Sequence, residues 1–284
     1  MNQRKYYKNA PSRLFLLLLA LVILFPLALI FVSSFLTSDE AGMTYAGIFQ
    51  GKQFASFALM PARPDFQPYA DLFLYCGQFY TMFWNSVRDT ALITIGQVLT
   101  AVPAAWAFAK LCFHLKKIWF TVYLIVMMLP FQITMLSNYF ILDRTGLLNT
   151  PWAFILPCIF STFPVFVMTR FFADVPDEMI EAACMDGAGS WQVFCHLGLP
   201  LGKSGIAAVA VLQILETWNT VEQPMFFIQN PAHFPLSLFF PNLTAETLGS
   251  SFVAAIVMML PPVFVFLYGK EELAAGIGHI GIEK

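Results

Sequence analysis

The chain alternates long apolar runs with shorter polar segments, which is the pattern of a polytopic membrane protein. The first run, residues 14–36, contains 23 residues and no charged side chain, and about 20 apolar residues are enough for a helix to cross a bilayer. Five more runs predict further spans at residues 80–109, 118–142, 151–172, 204–228 and 251–268. The predicted fold class is therefore all-α: a polytopic membrane helical bundle with six transmembrane helices.

The first apolar run follows a cluster of basic residues, as the hydrophobic part of a signal peptide does. It is longer than a typical signal-peptide core, and no cleavage pattern of small residues follows it. We therefore expect residues 14–36 to be retained as the first transmembrane helix.

The composition supports a membrane protein and excludes several other classes. The chain is 58% hydrophobic and 11% charged, whereas soluble domains carry about 25% charged residues. A net charge of −2 offers no basic face for nucleic acid. The 5 Cys include no C-x-x-C pair and the 4 His show no ligand spacing, so we expect no metal site and no cofactor.

The distribution of Lys and Arg predicts the orientation, because cytoplasmic loops carry an excess of these residues. With the N-terminus in the cytoplasm, eleven of the 15 basic residues lie inside and only Lys52, Arg63, Arg88 and Arg144 lie outside. Both termini are therefore expected in the cytoplasm. The predicted organisation is a cytoplasmic N-terminus (1–13), a first span (14–36), an extracytoplasmic segment (37–79), a five-helix core (80–268) with a cytoplasmic loop at 173–203, and a cytoplasmic tail (269–284).

The cytoplasmic loop at residues 173–203 is predicted to form a helical hairpin. Residues 178–185 and 190–197 fit two short helices, and Gly187 between them can adopt a positive φ and end the first. Pro200 is expected to end the second helix. Two partly apolar helices outside the bilayer are suited to docking on a partner, while the plainer alternative is a loop packed on its own bundle.

The same loop resembles a known family motif. Its matching residues are Glu181, Ala182, Ala183, Asp186, Gly187, Ala188, Phe194, Leu197, Leu199 and Pro200. Their spacing is similar to the EAA loop of the permease subunits of ATP-binding-cassette (ABC) importers. The resemblance extends over nearly the whole chain, through Tyr69, Asn85, Ser86, residues 104–110, Leu129, Pro130, Gly146, Leu147, Asn149, Thr150, Leu156, Pro157, Pro164, residues 170–172, Pro176, Trp218 and Asn219.

The resemblance implies a function and a set of partners. It is closest to the carbohydrate-uptake branch and, within it, to the maltose-type second permease subunit, with a type I ABC importer permease fold in the bacterial inner (plasma) membrane. It implies a heterodimer with a second permease subunit, two ATPase subunits that hydrolyse ATP, and an extracytoplasmic sugar-binding protein. The chain itself would have no catalytic residue, and the loop would couple it to an ATPase. Cys184 and Met185 depart from the basic–aliphatic pair common in this motif.

Two glycine motifs do not indicate nucleotide binding. Residues 198–204 resemble a phosphate-binding loop, but Leu197 stands where that motif requires its first glycine. Gly276, Gly278 and Gly281 match a dinucleotide-binding pattern by letters only, because no strand–turn–helix unit can follow in the remaining residues.

The fifth predicted span contains polar residues that are candidates for a substrate pathway: Glu216, Trp218, Asn219, Glu222 and Gln223. Charged groups at membrane depth cost about 2.5–3.5 kcal/mol on insertion scales, so they usually face a cavity or a partner. Carboxylate, amide and aromatic groups are suited to sugars, with Gln132, Asn138 and Tyr139 as secondary candidates. The alternative is that these groups hydrogen-bond between helices and only hold the bundle together.

Other functions remain open at this point. The cargo could be a polyol or glycerol phosphate, which the resembled family also handles. A secondary transporter or channel would need an ion relay and usually internal repeats, and no repeat is visible. An intramembrane enzyme would need a catalytic constellation, and no local motif suggests one.

The charge asymmetry leads to a labelling prediction. In a cysteine-free background, a membrane-impermeant thiol reagent added outside should label Gln53→Cys and should not label Ser190→Cys. Permeabilised cells, in which both positions are accessible, provide the control. The reverse pattern in intact cells would overturn both the orientation and the coupling role of the loop.

Overall fold

Helices account for all regular structure in the described part of the chain. The computed structural model describes residues 10–49, 61–239 and 247–280, and no strand occurs in these ranges. The all-α prediction is confirmed. Most of the predicted N-terminal segment 1–13, part of the outer segment 37–79 including Gln53, and residues 281–284 of the tail lie outside the described residues.

The described residues up to Phe79 and from Thr247 to Leu260 form one compact unit. It contains α1 (Ala10–Ser33), α2 (Ser38–Phe49), α3 (Gln67–Ala70) with a π-helical turn (Asp71–Tyr75), and the first part of α14 (Leu248–Ile280). Leu36, Ala41 and Leu248 form its small core. The side chains of α1 from residue 13 to residue 28 are all exposed, as expected for a helix whose apolar surface contacts lipid.

The second unit runs from Tyr80 to Phe239 and continues from Pro261 to the C-terminal end. Its helices are α4 (Gly77–Lys110), α5 (Lys116–Met127), α6 (Phe131–Arg144), α7 (Trp152–Ile159), α8 (Thr162–Ala173), α9 (Asp177–Met185), α10 (Ser190–Val193) with a π-helical turn (Phe194–Gly198), α11 (Leu199–Leu201), α12 (Lys203–Asn219), α13 (Glu222–Phe227), two 3₁₀ turns (Pro231–His233 and Leu236–Leu238) and the rest of α14.

The core of the second unit joins α4, α8 and the segment after α9. The Trp106 ring lies edge-on to Phe172 with ring centroids 5.2 Å apart, and it also contacts Phe194 at 5.8 Å. All three side chains are buried, together with Met168 and Val193. This cluster fixes residues 190–198 to the ends of α4 and α8.

Two glycines allow α12 to approach α8 very closely. A Cβ atom at Gly202 would lie 2.4 Å from Cε1 of Phe172, and one at Gly205 would lie 2.6 Å from Cγ of Phe171. No side chain fits these gaps without displacing an aromatic ring that is itself buried. The glycines therefore set the spacing of the two helices.

The membrane spans agree with the sequence prediction at four places. Arg13–Ser33, Gly77–Lys110, Trp152–Ala173 and Leu248–Ala274 are long and apolar enough to cross a bilayer. Two pairs of helices, Lys116–Met127 with Phe131–Arg144 and Ser190–Leu201 with Lys203–Asn219, pass the same test only when each bent pair is counted as one span. The described chain therefore has four to six helices that could span a membrane.

The predicted third and fifth spans need correction. Instead of one helix over 118–142, α5 and α6 meet at an angle of 98°, because Pro130 is extended (ψ 148°) and lacks the N–H that would continue the helix. The predicted fifth span, 204–228, ends already at Asn219, since Thr220 is extended and α13 starts anew at Glu222.

The close helix contact leads to a stability prediction. Gly205→Val should destabilise the protein by about 1–3 kcal/mol, the usual range for overpacking a filled core. The matched control is Gly189→Val, because Gly189 is exposed and a Cβ there meets nothing closer than 3.7 Å. Fluorescence-detected size exclusion after heating should show a lower midpoint for the first variant only. Equal midpoints would mean that the α8–α12 spacing adapts freely.

Candidate functional site: a helical hairpin and a polar cavity

Residues 177–201 form the helical hairpin that the sequence predicts. Its first arm, α9, begins after the extended Pro176 and carries Asp177 and Glu178 in its first turn, where negative charge favours the helix dipole. Gly187 has φ +86°, so its predicted left-handed conformation is confirmed. The N–H of Ala188 donates to the Ala183 carbonyl at 3.0 Å and closes the turn.

The second arm differs from the prediction at its end. Pro200 was expected to end this helix, but the chain stays helical as far as Leu201. The Leu199 N–H donates to the Phe194 carbonyl five residues earlier, which makes a π-helical turn. Pro200 then lies in a short helical segment that directly follows the π-helical turn.

The hairpin has a buried base and an exposed apolar tip. Ile180 and Ala183 pack against the core cluster beside the buried Phe194. Met185 and Trp191 are 88% and 68% exposed, and the Trp191 ring contacts Phe194 with ring centroids 5.2 Å apart. Exposed large apolar side chains beside a turn are typical of a docking surface.

The residues predicted for coupling therefore divide into two groups. Glu181, Ala182, Asp186, Gly187 and Pro200 are exposed. The others are buried or half-buried and pack the hairpin against the core cluster: Ala183, Ala188, Phe194 and Leu199.

Lys110, at the end of α4, holds the start of the hairpin. Its Nζ donates to the Val175 carbonyl at 2.6 Å, to the Ala173 carbonyl at 3.3 Å and to Oδ1 of Asp177 at 2.7 Å. The Lys110 side chain is 7% exposed, and the Asp177 side chain is 76% exposed. Sequence analysis placed Lys110 in a matching motif but assigned it no role, since its partners lie more than 60 positions away.

A cavity of about 580 Å³ lies within the second unit. Its lining combines amides, hydroxyls and aromatic rings with one carboxylate. The lining residues are Gln97, Val126, Met127, Leu129, Phe131, Thr134, Asn138, Pro157, Cys158, Phe160, Ser161, Thr162, Phe163, Gln213, Glu216, Thr217, Thr220 and Gln223. We call it the polar cavity.

The structure separates the five predicted pathway residues. Glu216 and Gln223 line the polar cavity, while Trp218, Asn219 and Glu222 are not part of its lining. Trp218 is buried, and its ring contacts Phe83 instead.

The other two lie outside because their side chains bond elsewhere. Asn219 Nδ2 donates to the Leu215 carbonyl at 2.7 Å, and Glu222 accepts from Gln132 Nε2 at 3.0 Å. Of the secondary candidates, Asn138 lines the cavity, whereas Gln132 and Tyr139 do not.

Sequence analysis missed several polar residues of the lining. Gln213 and Thr217 stand with Glu216 at helical spacing on α12, and Thr220 follows directly after its end; this stripe was a usable signal. Gln97 lies in the long, mostly apolar helix α4 and shares a helical face with Thr90 and Thr94, a signal that was also missed. Its Nε2 donates to the Cys158 carbonyl at 2.8 Å, and the Cys158 thiol donates to Oε1 of Gln223 at 2.8 Å.

Within the residues that the structure describes, no group of three or more His, Cys, Asp or Glu side chains could hold a metal ion. Side chains of this chain supply hydrogen bonding, apolar contact and charge at both sites.

Comparison with known proteins identifies relatives over most of the chain. Residues 74–270 match the profile of the family described as "Binding-protein-dependent transport system inner membrane component". The arabinooligosaccharides transport system permease protein of Halalkalibacterium halodurans is 26% identical over 269 residues, 93% of each chain. The sn-glycerol-3-phosphate transport system permease protein of Pectobacterium atrosepticum is 25% identical over 276 residues, 94% of each chain.

A solved structure shares the fold. One chain of a bacterial ABC transporter involved in the import of the acidic polysaccharide alginate superposes with a TM-score of 0.75 at 20% identity. The superposition covers 95% of this chain and 98% of the other. The all-α permease fold that the sequence predicts is therefore confirmed.

The Lys110 contacts lead to a prediction about the stability of the hairpin. Lys110→Met should raise amide hydrogen exchange across α9 by about tenfold or more, because bonds from a charged donor contribute about 1.5–3 kcal/mol and about 1.4 kcal/mol corresponds to tenfold. Asp177→Asn should have a smaller effect, since exposed ion pairs contribute about 0–1 kcal/mol.

The control is Lys117→Met, which removes an exposed charge from the start of α5. Exchange in α9 that is the same in the Lys110 and Lys117 variants would show that the aromatic cluster holds the hairpin without Lys110.

Proposed function

The chain belongs to the family of binding-protein-dependent transport system inner membrane components, and on that premise we propose that it is one permease subunit of an ABC importer for carbohydrates. It is a multi-pass membrane protein and a transport permease. In the proposed complex it pairs with a second, different permease subunit, and two ATPase subunits hydrolyse ATP. An extracytoplasmic binding protein delivers the sugar, and both termini of this chain lie in the cytoplasm.

The observation that carries the proposal is the form of the hairpin. A freely packed loop would bury its apolar side chains, yet Met185 and Trp191 are largely exposed. The base is fixed by Phe194 and by Lys110, so the tip is presented in one orientation. A rigid, partly apolar projection of this kind is suited to a cleft on an ATPase subunit.

The polar cavity supports the carbohydrate part of the proposal. Sugars present hydroxyl groups on their edges and C–H groups on their faces, and the lining offers both kinds of partner. Glu216, Gln223 and Asn138 can hydrogen-bond hydroxyls, while Phe131 and Phe163 provide flat apolar surfaces. We propose that these residues form part of the pathway, with Trp218, Asn219 and Glu222 outside it.

A polyol or glycerol phosphate is the second candidate cargo. The specific observation in its favour is the likeness to a glycerol-phosphate permease, which covers 94% of both chains. A polyol presents the same hydroxyl groups as a sugar and fits the same lining.

The hairpin leads to a prediction about coupling. Gly187→Val should leave the protein inserted and folded but uncouple sugar uptake from ATP hydrolysis. A side chain at positive φ costs roughly 1–2 kcal/mol, which is small for the whole bundle but sufficient to change the angle of the tip. Glu181→Lys should act similarly by reversing an exposed charge on the docking surface.

Both variants have matched controls outside the hairpin. Gly146 also has positive φ, +68°, with nothing within 4 Å of its Cβ position, so Gly146→Val introduces the same strain elsewhere. Asp143→Lys reverses an exposed charge on α6. Uptake, ATPase activity and ATPase pull-down are measured on membranes with equal expression. Normal coupling in both hairpin variants would refute the coupling role.

A further inference from the structure

The polar cavity contains charge of one sign only. Glu216 is the single carboxylate in its lining, and the lining includes neither Lys nor Arg. Within the described chain, the basic residue Arg88 pairs with Asp89 at 2.8 Å, and Lys110 is bound at the hairpin. A negatively charged cargo would therefore meet a carboxylate in the cavity and no lining cation to offset the repulsion.

The hydrogen bonds within the lining add to this bias. Gln213 Nε2 already donates to Oε2 of Glu216 at 3.0 Å, and Gln97 Nε2 donates to the Cys158 carbonyl. One N–H of each of these two amides is thus in use, whereas Oε1 of the buried Gln97 has no hydrogen-bond partner among the described residues. This oxygen and the Glu216 carboxylate are acceptors, and acceptors require donors from the cargo.

Hydroxyl groups supply such donors, and phosphate or carboxylate groups do not. An ionised phosphate or carboxylate presents mainly acceptor oxygens, so it would leave the acceptors of the cavity unpaired in addition to being repelled. Repulsion between like charges is also stronger in a cavity surrounded by protein and lipid than in water.

We infer that the polar cavity accepts neutral polyhydroxylated cargo and rejects anionic cargo, and that Glu216 is the residue that sets this preference. The inference rests on the proposed function. It distinguishes this chain from two of its relatives, since alginate is an acidic polysaccharide and glycerol phosphate is an anion. Among the cargo classes above, it retains sugars and polyols and excludes glycerol phosphate.

The test is a competition between matched cargoes in the complete transporter. The assembled complex is reconstituted in proteoliposomes with its binding protein. Its uptake is measured for neutral oligosaccharides of two to four sugar units and for the aldonic acids made by oxidising their reducing ends. The oligosaccharide is chosen so that the binding protein binds both the neutral form and its acid. The ratio of the two uptake rates is then corrected for the binding protein's affinities for the two forms. Glu216→Gln removes the charge and keeps the shape of the side chain.

The wild-type complex should prefer the neutral member by at least tenfold after this correction. Glu216→Gln should reduce that preference about tenfold, mainly by raising uptake of the acid, while the control Asp143→Asn, a carboxylate outside the lining, should leave it unchanged. Coulomb repulsion is screened little inside a protein, so the preference should persist when the salt concentration is raised.

Two different failures can be told apart. Equal uptake of both members by the wild type, or an unchanged ratio in Glu216→Gln, would overturn the role of Glu216 and leave a carbohydrate importer in place. Uptake of neither member of any pair, by a complex whose ATPase activity is intact, would overturn the carbohydrate proposal and this inference with it.

Discussion

The packing of Trp106 against Phe172 and Phe194 is the contact on which both candidate sites depend. It joins the ends of α4 and α8 to the second arm of the hairpin. Aromatic pairs contribute about 0.5–1.5 kcal/mol each beyond the area that they bury, and Lys110 adds charged hydrogen bonds at the same level. The exposed tip is thereby fixed to α4, a helix that continues through Pro103 without a break and carries Gln97 into the lining of the polar cavity.

The polar cavity exists because three neighbouring segments are not continuous helices. Extended residues interrupt the chain at Pro130, at Ser161 and at Thr220, and the lining includes residues at or beside each of these breaks. Non-helical backbone at membrane depth is tolerated only where it is buried in protein or lines a water-filled space. The helix breaks are therefore located at the cavity, and polar side chains beside the breaks line it.

Local chemistry explains which features could be predicted from the sequence. Gly187 and the flanking polar residues specify a turn within a few positions, so the hairpin was predictable, and the long apolar runs were sufficient to locate four spans. The bend at Pro130 was missed because the apolar run continues across it although the helix does not. The end of α12 at Asn219 was missed because the polar residues that follow were interpreted as part of one continuous span. Which of the polar residues line the cavity could be predicted only in part. Glu216 and Trp218 are two residues apart on one helix, so they face different neighbours. Those neighbours are determined by tertiary packing.

The contrast between one continuous helix and several broken ones bears on how a coupled importer would work. If the hairpin docks on a partner as proposed, a displacement of its tip is carried by the aromatic contact to α4 and α8 together. Because α4 is unbroken, it transmits that displacement to the level of Gln97. The segments beyond Pro130 and Thr220 are not helically continuous with those before them, so they need not follow. The relative movement is then concentrated at the breaks, where the lining can open or close at the smallest cost in helix hydrogen bonds.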